Sequence, residues 1–177
     1  MEGFLHPETL IKEFSVKKGM SVADFGCGAG YFALHIAKVV TDEGKVFALD
    51  VQQSALESVR SRAQQEGIYN IETIWSDLEI EEGSTLPEQS QDIVLIANVL
   101  FQAPDKKAIL KEARRVVKRA GSVIIIDWEP ETPMGPQKEH RLSKETLTEL
   151  AETVGLRKTK GFKAGEYHYG VIFTPQA

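Results

Sequence analysis

The stretch Asp24-Phe25-Gly26-Cys27-Gly28-Ala29-Gly30 decides the fold. It begins inside an apolar run, 22–25, and precedes residues whose apolar side chains recur at helical spacing, so we expect it to join a buried strand to a helix. Glycines at such a turn let the backbone approach a ligand, and the start of the helix presents free N–H groups. The turn therefore predicts a ligand site.

Asp50 makes this prediction more specific. It follows the next apolar run, 46–49, and stands twenty residues after Gly30. A carboxylate at the end of the second strand can accept hydrogen bonds from both hydroxyls of a ribose. A glycine-rich turn alone is a weak signal, but the turn and the acid together predict a nucleoside-containing cofactor. The alternative is a tightly packed turn with a helix-capping aspartate.

Strands and helices alternate along the rest of the sequence. Apolar or β-branched runs predict buried strands at 22–25, 46–49, 71–75, 93–97 and 123–126. Apolar residues at helical spacing predict helices at 32–40, 54–63 and 109–117. A Ser54-x-x-Glu57 capping box is expected to open the second helix, and the third is expected to end near Gly121. This order predicts an α/β fold with a mainly parallel sheet.

The last part of the sequence predicts an antiparallel strand. Ser143 is expected to cap a helix that ends at Gly155. Two further runs, 156–162 and 168–173, flank a short glycine-containing link. Because parallel strands need a crossover of a dozen or more residues, a short link joins antiparallel ones. The final strand should therefore run against the others.

Length and composition set the class of protein. The chain has 177 residues, of which 42% are hydrophobic and 27% charged, and this fits one globular domain over 1–177. A single cysteine cannot form an internal disulfide. No apolar run approaches the roughly 20 residues of a membrane helix, and the first residues lack a signal-peptide core. We expect a cytoplasmic protein that does not bind membranes.

The charge is unevenly distributed. The net charge of −5 argues against a general nucleic-acid binder. Residues 1–88 hold 7 basic and 15 acidic residues, whereas residues 89–177 hold 14 and 11. Half of these later basic residues lie between Lys106 and Arg119. We interpret that stretch as a solvated helix face, with a phosphate-facing patch for RNA or a charged partner as the alternative.

The glycine stretch distinguishes between two kinds of nucleoside cofactor, one with a pyrophosphate and one with an amino group. Gly28, Gly30 and Ala33 satisfy the looser dinucleotide fingerprint, but the carboxylate of Asp24 would repel a pyrophosphate and attract an amino group. The pattern Asp-x-Gly-x-Gly-x-Gly resembles motif I of class I S-adenosylmethionine-dependent methyltransferases. The resemblance extends over roughly 14–174 and includes the segments 47–50, 75–78 and 92–98. It is greatest to the small-molecule branch typified by ubiquinone and menaquinone biosynthesis methyltransferases.

The resemblance implies a Rossmann-like fold with a seven-stranded, mainly parallel sheet, an antiparallel last strand and helices on both faces. It implies S-adenosylmethionine as the cofactor and S-adenosylhomocysteine as its product. The residues that it places against the methionine part are Asp24, Gly26, Gly28, Gly30, Asn98 and Phe101, and the cofactor-binding set also includes Tyr31. The residues that it places against the ribose and the adenine are Asp50, Val51, Asp77 and Leu78. For Asp77, a cap on a turn is the alternative role.

The methyl acceptor should lie beyond the carboxyl ends of the strands, close to the cofactor. We expect Gln102, Trp128 and Tyr167 to contact it, although Trp128 could instead cover the end of the sheet. His168 is the first candidate for a general base and Glu129 the second, because a histidine titrates near neutral pH. The alternative for His168 is an exposed strand residue.

Other functions are less well supported by the sequence. No Asn/Asp-Pro-Pro-Tyr/Phe motif follows the fourth strand, which disfavours methylation of exocyclic amino groups on nucleic-acid bases. The histidines show no metal-ligand spacing. The strands and helices of such a fold take up nearly all of the chain. Only residues 1–13, which we expect to lie over the site, and the loop 129–141 remain to recognise a substrate. We therefore expect a small-molecule methyltransferase, as a monomer or homodimer. An RNA or protein methyltransferase and a cofactor-binding partner subunit without activity are the alternatives.

Overall fold

The computed structural model describes residues 5–177 and is built on one seven-stranded sheet. The strands are β1 (Ser21–Phe25), β2 (Lys45–Asp50), β3 (Ile71–Trp75), β4 (Gln91–Ala97), β5 (Val117–Trp128), β6 (Leu156–Lys163) and β7 (His168–Pro175). Their order in the sheet is β3-β2-β1-β4-β5-β7-β6. Strands β1 to β5 pair in parallel, and β7 runs antiparallel to both β5 and β6. The predicted seven-stranded, mainly parallel sheet with an antiparallel last strand is confirmed.

Helices cover both faces of the sheet, as predicted. They are α1 (Pro7–Leu10), α2 (Tyr31–Val40), α3 (Gln53–Gln65), α4 (Lys106–Val116) and α5 (Lys144–Glu152), with short 3₁₀ turns at Ile11–Phe14, Leu100–Gln102 and Lys138–His140. Helices α2 and α3 pack in one apolar core, while α4 and α5 pack in the other. The sheet therefore forms the middle of three layers.

Strand β5 shows why the sheet sequences are apolar without alternation. Val123 and Ile125 belong to the core beneath α4 and α5, whereas Ile124 and Ile126 belong to the core beneath α2 and α3, and all four are fully buried. Burying each of these side chains contributes about 1.5–3 kcal/mol to stability. The part of the strand that has helices on both faces is thus apolar at four consecutive positions, 123–126.

Three predicted details of the helix ends met different outcomes. Ser143 caps α5, since its Oγ accepts a hydrogen bond from the Thr146 amide at 3.1 Å, as predicted. The Ser54-x-x-Glu57 capping box is wrong: α3 begins before Ser54, and its N-cap is Gln52, whose amide donates to Asp50 Oδ1. Helix α4 ends at Val116 instead of near Gly121, because Val117 already pairs with β4 as the first residue of β5.

The basic stretch 106–119 is largely bonded to the protein itself. Arg115 pairs with the buried carboxylate of Glu112 at 2.7 Å, and Lys118 pairs with Asp92 at 2.7 Å. Lys106 and Arg114 donate to backbone carbonyls. Burial opposes ionisation of Glu112, but hydrogen bonds from Arg115 and from Ser84 outweigh it and lower the pKa of Glu112. Most of this stretch therefore supports the fold.

The edge of the sheet at the carboxyl ends of β1, β2, β4 and β5 carries the candidate site. Because β7 runs antiparallel, its first residue, His168, lies at the same edge and pairs with Trp128, the last residue of β5. The loops that follow these strands are thereby brought together. Among residues 5–177, none of the helices has the length and apolar character needed to cross a membrane.

Candidate functional site

A cleft of about 990 Å³ opens at this edge of the sheet. Every predicted cofactor residue lines it except Gly30 and Phe101. Of the predicted acceptor and catalytic residues, Gln102, Trp128 and His168 line it, whereas Glu129 and Tyr167 do not. From the N-terminal segment, Leu5, His6 and Pro7 line the cleft, while residues 1–4 lie outside the described part of the chain.

The glycine turn is bonded to the end of β2. The amides of Gly26 and Cys27 donate to the Leu49 carbonyl at 2.8 and 2.9 Å. The amide of Gly28 donates to Asp50 Oδ2 at 2.9 Å. Gly28 has a φ of +51°, and a Cβ at this position would meet no protein atom within 4 Å, so its open side faces the cleft. The turn therefore leaves space for a ligand against its backbone.

Two side chains in the cleft have buried oxygen atoms without hydrogen-bond partners. These atoms are Asp24 Oδ2 and Asn98 Oδ1. Burial and the charge of Asp50 raise the pKa of Asp24 to about 7, although the Ala33 amide lowers it. An unsatisfied buried polar atom costs about 1–3 kcal/mol. A ligand that brings a cationic donor, such as an ammonium group, would pair with these oxygens and hold Asp24 ionised.

Asp50 and its neighbours also line the cleft. Asp50 Oδ1 accepts from the Gln52 amide at 2.9 Å, and each of its oxygens keeps a lone pair for a ligand. The side chain of Val51 is 55% exposed and lines the cleft, while its carbonyl accepts from Trp75 Nε1 at 2.8 Å. Asp77 Oδ1 accepts from the Glu79 amide at 3.0 Å, so this carboxylate does cap a turn while it also lines the cleft.

His168 is buried beside Trp128. The two ring centroids are 4.1 Å apart, and His168 is 1% exposed, so the alternative of an exposed strand residue is wrong. Neither ring nitrogen has a hydrogen-bond partner. Burial lowers the pKa of His168 to about 4, against the charge of Glu129, which raises it. The imidazole is therefore neutral near pH 7 and is a weak base.

Glu129 is held outside the cleft. Its carboxylate pairs with Lys144 Nζ at 2.9 Å, and its amide donates to the Tyr167 carbonyl at 2.8 Å. Gly30 lies deeper than predicted, because a Cβ at this position would run into the side chain of Val59 on α3. Phe101 lies in the 3₁₀ turn beside the cleft. The structure thus places these predicted residues around the site without making them part of its lining.

The loop 129–141 fixes Trp128 in a way that the sequence did not predict. Arg141 donates to the carbonyls of Pro130 at 3.0 Å, Thr132 at 2.7 Å and Pro136 at 2.8 Å. Gly135 has a φ of +104° and packs on the indole, since a Cβ there would lie 2.7 Å from Trp128 Cζ3. The Gly135-Pro136 pair signalled a turn, but only tertiary contacts could show what it packs against.

Asp127 is a second residue that sequence reasoning missed. It is fully buried at the end of β5, where Oδ1 accepts from the Trp128 amide at 2.8 Å and Oδ2 has no partner. Burial raises the pKa of Asp127 to about 6, although the Trp128 and Phe101 amides lower it. The signal was an acid that closes a Val/Ile run. Within residues 5–177, no cluster of three or more His, Cys, Asp or Glu residues could hold a metal ion.

Known proteins resemble this chain over most of its length. Residues 16–168 match a family model described as a methyltransferase domain. A demethylmenaquinone methyltransferase from Geobacillus stearothermophilus is 28% identical over 127 residues, which cover 71% of this chain and 53% of that protein. The Lactococcus lactis protein of the same name is 33% identical over 112 residues, or 62% of this chain and 42% of that protein. The chain thus spans about half the length of the curated relatives it matches.

A solved structure agrees with this fold in its geometry. The crystal structure of an S-adenosylmethionine-dependent methyltransferase from Aquifex aeolicus superimposes with a TM-score of 0.86 at 30% identity. The superposition covers 96% of this chain and 89% of that one. The Rossmann-like layer order is therefore shared over nearly the whole chain.

Asp24→Asn should stabilise the ligand-free protein in a pH-dependent way. The pKa of Asp24 is raised from 3.8 to about 7, so the folded state holds a proton that the unfolded state releases. In the wild type, the contribution of Asp24 to the free energy of unfolding is fully present below pH 3.8, where the carboxyl is protonated. This contribution is lost as the pH rises towards 7. Because asparagine does not titrate, the variant should gain on the order of 1–3 kcal/mol at pH 8 and less at pH 5. Urea unfolding at both pH values measures the gain.

Asp42 is exposed, so Asp42→Asn serves as the control. It should change the free energy of unfolding only slightly, and by the same amount at pH 5 and at pH 8. An Asp24→Asn gain that is equal at the two pH values would show that the pKa of Asp24 is not raised.

Gly135→Ala should displace the Trp128 indole. A Cβ at Gly135 would lie 2.8 Å from Trp128 Cδ2, and the left-handed backbone disfavours alanine as well. We expect a red-shifted Trp128 emission and faster acrylamide quenching in a Trp75→Phe background, with a stability loss of about 1–3 kcal/mol. Gly67→Ala is the matched control, since Gly67 also has a positive φ but a Cβ there would meet nothing. Identical spectra for both variants would mean that Gly135 does not set the indole position.

Proposed function

The chain belongs to the methyltransferase-domain family, and from that premise we propose that it transfers the methyl group of S-adenosylmethionine to a small-molecule acceptor. The observation that carries this proposal is the pair of unpartnered oxygens on Asp24 and Asn98, which line the cleft beside the glycine turn. Together with the carboxylate of Asp50 at the end of β2, they match the groups that an S-adenosyl amino acid presents. The curated relatives are demethylmenaquinone methyltransferases, which supports a small acceptor.

The residues of the cleft fit S-adenosylmethionine in three parts. Asp24 and Asn98 would accept hydrogen bonds from the amino-acid end, Asp50 from the ribose hydroxyls, and Val51, Asp77 and Leu78 would border the adenine. Each charge-assisted hydrogen bond of this kind contributes about 1.5–3 kcal/mol. When bound, the cofactor supplies a methyl group on a cationic sulfonium. The open backbone at Gly28 leaves the space that the methionine part needs.

The acceptor would lie between the cofactor and the wall formed by Trp128 and His168. In this position Trp128 would stack on the acceptor and exclude water, while Gln102 would contact its exposed side. Because His168 is neutral and weakly basic, its role is to orient the acceptor rather than to remove a proton from a weak acid. Much of the acceleration would come from holding the two reacting groups together.

Glu129 is a poorer candidate for a base than the sequence suggested. Its carboxylate already pairs with Lys144, and its side chain does not line the cleft. An RNA acceptor receives little support from the basic stretch 106–119, since most of those cations are bonded to the protein's own acids and carbonyls. A small acceptor therefore remains the function that the described residues support best.

Asp50→Ala should weaken S-adenosylmethionine binding by one to two decades, about 1.5–3 kcal/mol for a lost charge-assisted hydrogen bond. Isothermal titration calorimetry measures the dissociation constant. Asp42→Ala removes an exposed acid that does not line the cleft and should leave the dissociation constant unchanged. Wild-type affinity in the Asp50 variant would show that Asp50 does not contribute to cofactor binding.

Turnover tests the acceptor class directly. We expect S-adenosylhomocysteine to form with a pool of small molecules and not with tRNA or peptide pools, and Asp24→Asn to reduce this turnover strongly. Product from tRNA or peptides alone would show that the small-molecule proposal is wrong. Tight S-adenosylmethionine binding without product from any pool would favour a cofactor-binding partner subunit.

A further inference from the structure

The two edges of the sheet are built in opposite ways. In the part of the chain that the structure describes, β6 and β3 are the edge strands. Strand β6 has a break in its pairing register at 158–160 and four basic residues, Arg157, Lys158, Lys160 and Lys163. Basic side chains and bulges are devices that keep an edge strand from pairing with another chain. Strand β3 contains no lysine, arginine or proline and pairs with β2 without a break in register, so its edge is open to a further strand.

Half of the backbone groups of β3 point away from the sheet. At the two ends of its pairing with β2, the Asn70 carbonyl accepts from a β2 amide and the Ser76 amide donates to a β2 carbonyl. Because backbone groups alternate in direction along a strand, those of the even-numbered residues face β2. The amides and carbonyls of Ile71, Thr73 and Trp75 therefore face the free edge, where a second strand could bond them.

Exposed aromatic side chains stand at both ends of this edge. Tyr69, just before β3, is 89% exposed, and Trp75, the last residue of β3, is 53% exposed. The Trp75 indole is held in place, since its Nε1 donates to the Val51 carbonyl at 2.8 Å. Large exposed apolar side chains beside an open strand are typical of a surface that another protein chain covers.

A second copy of the chain fits this edge in one register. When two β3 strands run antiparallel about a two-fold axis at Thr73, Ile71 of each copy stands opposite Trp75 of the other. Residues 71, 73 and 75 then form the hydrogen-bonded pairs of the ladder. This register uses all the outward backbone groups of both strands, so the edge is complementary to itself.

The charges of the strand favour the same register. Glu72 is the one charged residue of β3, and it would stand opposite Ile74 of the second copy. Its carboxylate already pairs with Lys45 Nζ at 2.5 Å. A register centred on Glu72 would instead place two carboxylates opposite each other, which destabilises a strand pair. Arg60, which donates to Thr73 Oγ1 at 2.7 Å, is exposed, so water screens its charge from the same residue of the second copy.

We propose that the open edge of β3 is a docking surface for a second copy of this chain, and that the two β3 strands pair antiparallel about a two-fold axis at Thr73. The sheet then continues through both copies, and the Trp75 side chains become covered. The described lining of the cleft includes neither Ile71, Thr73 nor Trp75. The surface is thus separate from the candidate cofactor site, and this inference does not rest on the proposed function.

The oligomeric state of the wild-type chain tests the proposal first. Strand β3 has 5 residues, which is short for a standard interface of about 1,200–2,000 Å². We therefore expect a weak dimer, with a dissociation constant on the order of 1–100 µM. Sedimentation equilibrium over protein concentrations of about 1–300 µM measures this constant. A chain that stays monomeric over the whole range would overturn the proposal.

Thr73→Lys tests the position of the surface. It places a cation on each side of the two-fold axis and should raise the dissociation constant of the dimer at least about ten-fold. Thr159→Lys is the matched control, because Thr159 is exposed on the β6 edge and its replacement should leave the dimer unchanged. Circular dichroism checks that both variants are folded. Equal weakening by both variants, or none by Thr73→Lys, would show that the copies do not meet at β3.

Thr73→Cys tests the register and does not depend on how the lysine variant folds. Residues of a hydrogen-bonded antiparallel pair have Cα atoms about 5.5 Å apart, which suits a disulfide. We expect diamide to link two copies of Thr73→Cys, whereas the wild type, with its buried Cys27, stays unlinked. Glu72→Cys is the comparison, since diagonal neighbours lie about 7–8 Å apart and should link poorly. Linking at 72 instead of 73 would refute the register, and linking at neither position would refute the surface.

Discussion

The hydrogen bonds that hold the glycine turn to the end of β2 are the constraint on which the site depends. The Leu49 carbonyl accepts from two amides of the turn, and Asp50 accepts from a third, that of Gly28. Because Asp50 also accepts from the Gln52 amide, the same carboxylate anchors the start of α3. One acid therefore fixes the path of the turn, the entry to a helix and an edge of the cleft.

The unsatisfied polar atoms of the protein are concentrated where that constraint operates. In the described chain, the buried side-chain atoms without hydrogen-bond partners belong to Asp24, Asn98, Asp127 and His168. All four residues lie at the edge of the sheet where β1, β4 and β5 end and β7 begins. Each such atom costs about 1–3 kcal/mol in the free protein. The apolar strands, buried on both faces, supply the stability that offsets the cost of these unpaired groups.

The sequence predicted what local patterns determine and missed what tertiary contacts determine. A glycine turn and a strand-end acid are short-range signals, so the sequence could point to Asp24 and Asp50, both of which line the cleft. The short link before β7 likewise predicted the direction of that strand. The Ser54 capping box is wrong because α3 already begins at Gln53, after Gln52 has donated its amide to Asp50. The pattern of residues within the helix does not reveal this contact. The burial of His168 depends on its pairing with Trp128, forty residues earlier, and Arg141 acts only through carbonyls brought near it by folding.

The two ends of the cleft are built differently, and this difference explains why one is more predictable than the other. The cofactor end is formed by turns bonded directly to parallel strands, so its geometry follows from the fold. The acceptor end depends on the loop 129–141, which one guanidinium closes by binding three backbone carbonyls. Backbone carbonyls are present whatever the loop side chains are, so the side chains of this loop can change without loss of the clamp. A fold of this kind can keep the turns at the ends of its parallel strands while the loop that packs on Trp128 varies.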